Sequence, residues 1–355
     1  MIKTTKQLIA ISIIPQYFIV KWLGQHPDFI ETYYSNGFYQ YSSKLFRYVF
    51  GLFPFSIGDL LYLSAIIYSI RWFIKNRQRI IKDTKAWFLD VMLVLSLGYF
   101  AFHLLWGMNY YRQPLHENLG LEADYTTEQL VLVTKLLIEK SNKVHSQIVR
   151  KDSLIVVIPY EKNNIINLVP SGYENLKQDF PNLEYRPKSL KKSLFSYPLA
   201  YSGVGGYLNP LTNEAQLNGV IPTYKFPTTA SHEIAHQLGY AAENEANFIG
   251  CLAAINHDNM YFNYSGYTFG LRYCLNEIYI RDEAQYETLV KTVNPGILKN
   301  YKETREFREA HHSPLVPFFN KFFNGFLKAN NQDKGMKSYS YVVALLVNYF
   351  ESNSL

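Results

Sequence analysis

Two histidines four residues apart with a glutamate between them, in Ser231-His232-Glu233-Ile234-Ala235-His236-Gln237-Leu238-Gly239, are the residues of this chain best suited to chemistry. On a helix, His-Glu-x-x-His sets both imidazoles one turn apart on one face with a carboxylate beside them. That arrangement suits two nitrogen ligands on one zinc ion, with Glu233 placed to take a proton from a zinc-bound water. The expected chemistry is zinc-dependent hydrolysis, foremost of a peptide bond. The competing reading is an ordinary amphipathic helix whose histidines face solvent or satisfy a core hydrogen bond.

A two-histidine site needs a third ligand, and the next segment supplies candidates. Gly239 can take the left-handed conformation that ends a helix, and Tyr240-Ala241-Ala242 can turn the chain back. A second helix is predicted from Glu243 to Ile255, with Ala246, Gly250 and Ala254 as a small-residue stripe that permits close approach to a neighbour. Two glutamates compete for the metal. Glu243 is the expected ligand, with Asn247 one turn on as a partner for the outer nitrogen of a ligand histidine. Glu245 points about 200° away and reads as a helix-start carboxylate favoured by the macrodipole.

The His-Glu-x-x-His helix followed by Glu-x-x-Ala-Asn resembles the glutamate zincins (gluzincins), whose downstream helix often reads Glu-x-x-Ala-Asp. Here Asn247 replaces the aspartate, and the gap from His236 to Glu243 is shorter than in typical gluzincins. His232 to Gln237, with the Glu-Asn-Glu-Ala-Asn run, is more closely similar to an uncharacterised bacterial family of membrane proteins, a domain of unknown function marked by a His-Glu-Ile-Ala-His-Gln motif. Gly51 to Asp59 and Phe326 to Gln332 extend that resemblance over most of the chain. It implies a membrane-anchored metallopeptidase with a zincin-like domain and brings no established substrate.

Three long apolar stretches occupy the first 110 residues: Leu8–Leu23, Phe53–Ile74 and Ala86–Met108. The last has a charge-free core long enough to cross a bilayer, and the first two are marginal. Arg71, Lys75, Arg77, Arg79, Lys82 and Lys85 stand between the second and third, with Asp83 against them. Lys3 and Lys6 precede the first. Positive segments stay in the cytoplasm, so three spans carry everything after about residue 110 outside. Pro15 and the absence of a small-x-small cleavage site favour an uncleaved anchor over a signal peptide. The formal charge of +6 is concentrated in the basic connection; it reads as topology and lipid contact, and no nucleic-acid partner is expected. Asp59, near the outer end of the second span, reads as a hydrated cap, with a functional intramembrane carboxylate as the alternative.

Beyond residue 110 the composition turns mixed and globular. Thr126 is expected to cap a helix ending near Val144, Leu154–Ile158 to form a buried strand, Glu174–Phe180 a short helix, and Ser193–Ser196 to begin a second strand region. Gly203, Gly205 and Gly206 lead into a hairpin turning at Pro210–Asn213. These glycines suit either a strand edge beside the active helix, paired with an extended substrate, or merely a loose surface loop. Pro227-Thr228-Thr229 provides a helix start with a capping threonine. Oxyanion stabilisers are sought among Tyr207, Tyr240, His257, His311, His312, Tyr339 and Tyr341. Phe262–Ile280 gives one or two helices, Glu283–Val293 another, and Tyr339–Tyr349 a last one packed on the domain. Cys251 and Cys274 could pair, but a buried thiol is the commoner outcome for Cys251.

The sequence therefore predicts an α+β, mainly helical protein. Residues 1–110 form a membrane anchor of three transmembrane helices, and residues 111–355 an extracytoplasmic zincin-like domain with a small sheet. His232, His236 and Glu243 are expected to hold Zn2+, and Glu233 to be the catalytic base. The expected partners are the lipid bilayer of a bacterial inner membrane and a peptide or protein substrate in the cell envelope. The alternatives are a zinc-binding but inactive membrane scaffold and a structural envelope protein.

Overall fold

The computed structural model describes residues 2–331 and 341–353. The N-terminal third is helical. Helices α1 (Ile2–Ile11) and α2 (Ile13–Leu23) run nearly end to end, and the chain turns by 96° before the helical segment that ends in α3 (Tyr39–Gly51). Helices α4 (Ile57–Asn76) and α5 (Thr84–Leu105) follow. Both are long and apolar enough to cross a membrane, and the bent pair Thr4–Leu23 with Pro27–Gly51 makes a third if counted as one span. Apolar side chains such as Ile67, Phe73, Val94 and Phe100 point outward along α4 and α5, as lipid-facing helices require. Asp90 pairs with Lys6 and, at 3.0 Å, with Arg79. Ser12, Gln16 and Ser96 form a hydrogen-bonded cluster between the first helices and α5. Such polar groups hold helices together where apolar burial cannot.

Residues beyond 110 build one large apolar core, reaching from Leu115 to Phe350. Its helices are α6 (Thr127–Ile148), α7 (Phe226–Gln237), α8 (Glu243–Ile255), α9 (Met260–Arg281), α10 (Pro295–Ala310) and, after α11 (Leu315–Ala329), which packs elsewhere, α12 (Val342–Ser352). Thr126 starts α6 with a reciprocal capping box to Gln129. The sheet has three short strands, β1 (Leu190–Lys192), β2 (Gly206–Asn209) and β3 (Glu214–Leu217), in the order β1-β3-β2. β2 and β3 are the expected hairpin, antiparallel with Gly206 opposite Leu217, and β1 joins β3 in parallel. A smaller cluster of Tyr39, Trp106, Met108, Tyr110 and Tyr111 with Ala241 and Leu327 joins the first helices to the rest. The molecule is mainly helical with a small sheet.

Several expectations need correction. Leu154–Ile158 forms no strand among the described residues; the Asn300 side chain takes both polar groups of Val156 instead (3.0 and 3.3 Å). No threonine caps α7: Thr228 bonds Ser265 across to α9 at 2.8 Å. Cys251 and Cys274 are buried free thiols. Tyr339 and Gln332 lie outside the described residues. Asp59 is no hydrated cap. It is fully buried, accepts from Leu194 N at 2.7 Å and Ser193 Oγ at 3.1 Å, and is bonded by Tyr207. Glu214 of β3 accepts from Ile57 N and Gly58 N at 3.1 and 2.5 Å and from Lys191 Nζ. The Glu214 carboxylate thus satisfies the first free amides of α4 and Ser56 Oγ takes that of Asp59; both carboxylates sit at the positive pole of α4 and fix that helix to the sheet.

Candidate metal centre

Local signals place the two site helices. Pro227 sits in the first turn of α7, where its missing N–H costs nothing. At the other end Gly239 has φ +93°, Tyr240 N bonds Ala235 O and Gly239 N bonds His236 O. This left-handed turn closes the helix and sends the chain back into α8. The two helices touch at Gly250: a Cβ there would stand 2.7 Å from His232 N. Only a glycine lets α8 come this near.

That approach brings His232, His236 and Glu243 together. Glu243 Oε2 lies 3.3 Å from His232 Nε2 and 3.7 Å from His236 Nε2, and the three ligand atoms all fall within 4.8 Å of one another. Ligands about 2.0–2.1 Å from a tetrahedral zinc stand about 3.3 Å apart, so this donor set fits the ion. His236 Nδ1 is tied to Tyr240 O at 2.7 Å, which leaves Nε2 facing Glu243. Burial alone would raise the Glu243 carboxyl, but the two imidazoles hold it well below the usual carboxylate range. Burial likewise opposes charge on His236, yet Glu243 and Glu233 raise it to about 9. Positive charge is favoured here, and a cation can replace the proton.

Glu233 is buried on the same helix, and its Oε2 has no hydrogen-bond partner. Burial pushes its carboxyl up; the histidines oppose this and Glu243 adds to it. A Cβ on Gly206 would come within 2.7 Å of Glu233 Oε1, so the backbone of β2 lies against this carboxylate. β2 is an edge strand, and no strand pairs with its outer side among the described residues. Glu245 turns away, accepting from Leu115 N at 2.7 Å. Asn247 does not bond either imidazole, and its amide nitrogen and His232 Nδ1 are both buried without partners.

Three side chains from the N-terminal part hold the end of α7, and sequence reasoning missed them. Trp106 Nε1 donates to His236 O at 3.2 Å, Tyr39 OH to Gln237 O at 2.9 Å, and Arg112 Nη1 to Gly239 O at 3.1 Å. Gln237 donates to Ser189 O and Asn213 O, locking the helix to the sheet. Of the residues sought as oxyanion donors, Tyr207 is engaged by Asp59, Tyr240 lies under Arg112, and His257 is bonded to Ser171. His311 bonds Phe307 O, and His312 and Tyr341 are exposed. The tyrosines in the field of Glu243 are Tyr110 and Tyr273. Nothing separated them in sequence from the other tyrosines of a chain with thirty.

A family model described as "Protein of unknown function (DUF3810)" matches residues 34–347. No curated protein and no solved structure matches the chain.

Proposed function

This chain belongs to that family of unknown function, and we propose that it is a membrane-anchored zinc peptidase. The observation that carries the reading is the convergence of His232, His236 and Glu243 beside a buried, unpartnered Glu233. His232, His236 and Glu243 would hold the ion. When bound, zinc supplies Lewis acidity that polarises a carbonyl and acidifies water near neutral pH. Glu233 takes the proton released as water attacks the peptide carbonyl and delivers it to the leaving amine, a role suited to a carboxylate whose burial raises its basicity. Tyr110 and Tyr273 are the donors that could face the developing oxyanion. The zincin-like domain is held by three spans, with the N-terminus and the basic connection in the cytoplasm. The cleft then lies outside the inner membrane, facing peptides and proteins of the cell envelope.

The test is zinc per chain in detergent-purified protein, wild type beside His236→Ala, followed by peptide hydrolysis with Glu233→Gln. About one zinc in the wild type and almost none in His236→Ala is expected, with Glu233→Gln keeping metal and losing about a thousandfold or more in turnover. No metal in either protein would defeat the reading. Metal without turnover in the wild type would leave a zinc-binding scaffold.

A further inference from the structure

Three cationic side chains meet at the start of α7. Lys225 ends the short turn Thr223–Lys225 that leads into this helix. Its neighbour Tyr224 bonds Thr304 of α10 at 2.5 Å, and Tyr301 of α10 bonds Thr268 O of α9 at 2.7 Å. Arg308 lies one turn beyond Thr304, and Arg272 one turn beyond Thr268, so both fall on the helix faces that these bonds pack toward the Thr223–Lys225 turn. Burial and the repulsion of Arg272 and Arg308 push the Lys225 ammonium down to about 7, and burial and Arg272 also lower Arg308. None of the three side chains has an ion pair or hydrogen bond among the described residues. Glu303, one candidate counter-charge on α10, is held by Asn300 Nδ2 at 3.0 Å. Lys225 and Arg272 are partly exposed and Arg308 is exposed, so an anion arriving from solvent can reach all three and gain charge-assisted hydrogen bonds.

The cluster lies on the metal-bearing face. Within α7 only Thr229 and His232 escape full burial, and Lys225, Thr229, His232 and His236 fall on one stripe. Seven residues at 1.5 Å put Lys225 about 10 Å from His232 along the helix. Tyr273 follows Arg272 in α9 and has that guanidinium 5.8 Å from its ring centroid; burial pushes its phenol up, Arg272 and Arg308 oppose this, and Glu243 adds to it. β2 follows the same line: a Cβ on Gly205 would stand 3.1 Å from Thr229, and one on Gly206 2.7 Å from Glu233. The strand therefore runs along α7 from the cations toward the metal. At its start, the ring of Tyr201 meets His311, at the end of α10, with centroids 5.3 Å apart. This contact brings α10 against the segment leading into β2.

A peptide added antiparallel to the outer edge of β2 points its C-terminus at the cations. Extended chain rises about 3.3 Å per residue, so about three residues bridge the 10 Å. We propose that Lys225, Arg272 and Arg308 bind the free α-carboxylate of a peptide substrate, making the protein a carboxypeptidase that releases a C-terminal fragment of about three residues. This rests on the peptidase reading. In each turnover one amide C–N bond breaks, water gives its oxygen to the acyl carbon, and the new amine takes a proton.

Binding tests the site apart from turnover. Full-length Glu233→Gln protein in detergent is titrated with an N-terminally dansylated alanine-leucine heptapeptide as free acid and as C-terminal amide. The acid should bind about tenfold more tightly. Arg308→Ala, a change at an exposed position, should remove most of that difference, and Arg308→Glu should abolish it, with zinc content intact as a check on folding. Wild-type protein should cleave the acid about three residues from its end. Equal affinity for acid and amide, or no binding of either, overturns the carboxylate site. Acid preference without cleavage supports the site and counts against the peptidase; cleavage without acid preference does the reverse.

Discussion

Replacing Gly206 by valine would place side-chain carbon where Glu233 Oε1 and Gln216 O now stand, 2.7 and 2.8 Å from the new Cβ. Gln216 O is backbone in the middle of the sheet and cannot yield, so Glu233 or β2 must move. We expect Gly206→Val to keep its zinc, because neither histidine nor Glu243 is touched, and to lose about a hundredfold in turnover, a loss typical of misplacing a reacting group by about 1 Å. Equal loss of metal would mean that the strand supports the ligands themselves. The two histidines and Glu233 were legible from spacing alone, whereas the place of Gly206 was not: three glycines before a hairpin fit a loose loop as well as a tight approach. The same limit explains Trp106 and Arg112. Their contacts cross about 130 residues of sequence, and no local pattern announces them.

At the scale of elements, α7 and α8 were readable because their signals are local: a proline in the first turn, a left-handed glycine at the end, and small residues on the contact face. The strand expected at Leu154–Ile158 failed because a lone asparagine, Asn300, satisfies the backbone of Val156 in place of a neighbouring strand. Helix α11 gave no warning either. It packs Phe323 and Phe326 against the cluster of Tyr110 and Phe102, and leaves Phe318 and Phe322 73% and 67% exposed, the pattern of a helix lying on a membrane surface. The joint between α4 and the sheet rests on Asp59 and Glu214. Asp59→Ala would strand Leu194 N, Ser193 and Tyr207, at about 1–3 kcal/mol for each buried group left unsatisfied. A fall of several degrees in melting temperature in detergent is expected, and an unchanged melting curve would show that water replaces the carboxylate.

For the molecule as a whole, the boundary near residue 110 marks a change in composition and not a seam in the structure. Tyr39, Trp106 and Tyr110 sit against the end of α7, and Arg112 bonds both Gly239 O and Glu31. A chain beginning at residue 111 would lose Tyr39 and Trp106, expose Ala241 and Leu327, and leave the carbonyls of His236 and Gln237 without these donors. It should be poorly soluble or retain little zinc; a soluble fragment binding one zinc per chain would show that the anchor is dispensable to the centre.

The sheet that carries Gly206 is fastened to the first turn of α4, the helix read here as a span. In the proposed anchored peptidase, such fastening would set the height of the cleft above the bilayer and deny the centre any tether on which to wander. Encounters would then be counted per unit area, and such a peptidase would meet most often the substrates whose scissile segment travels in the same plane.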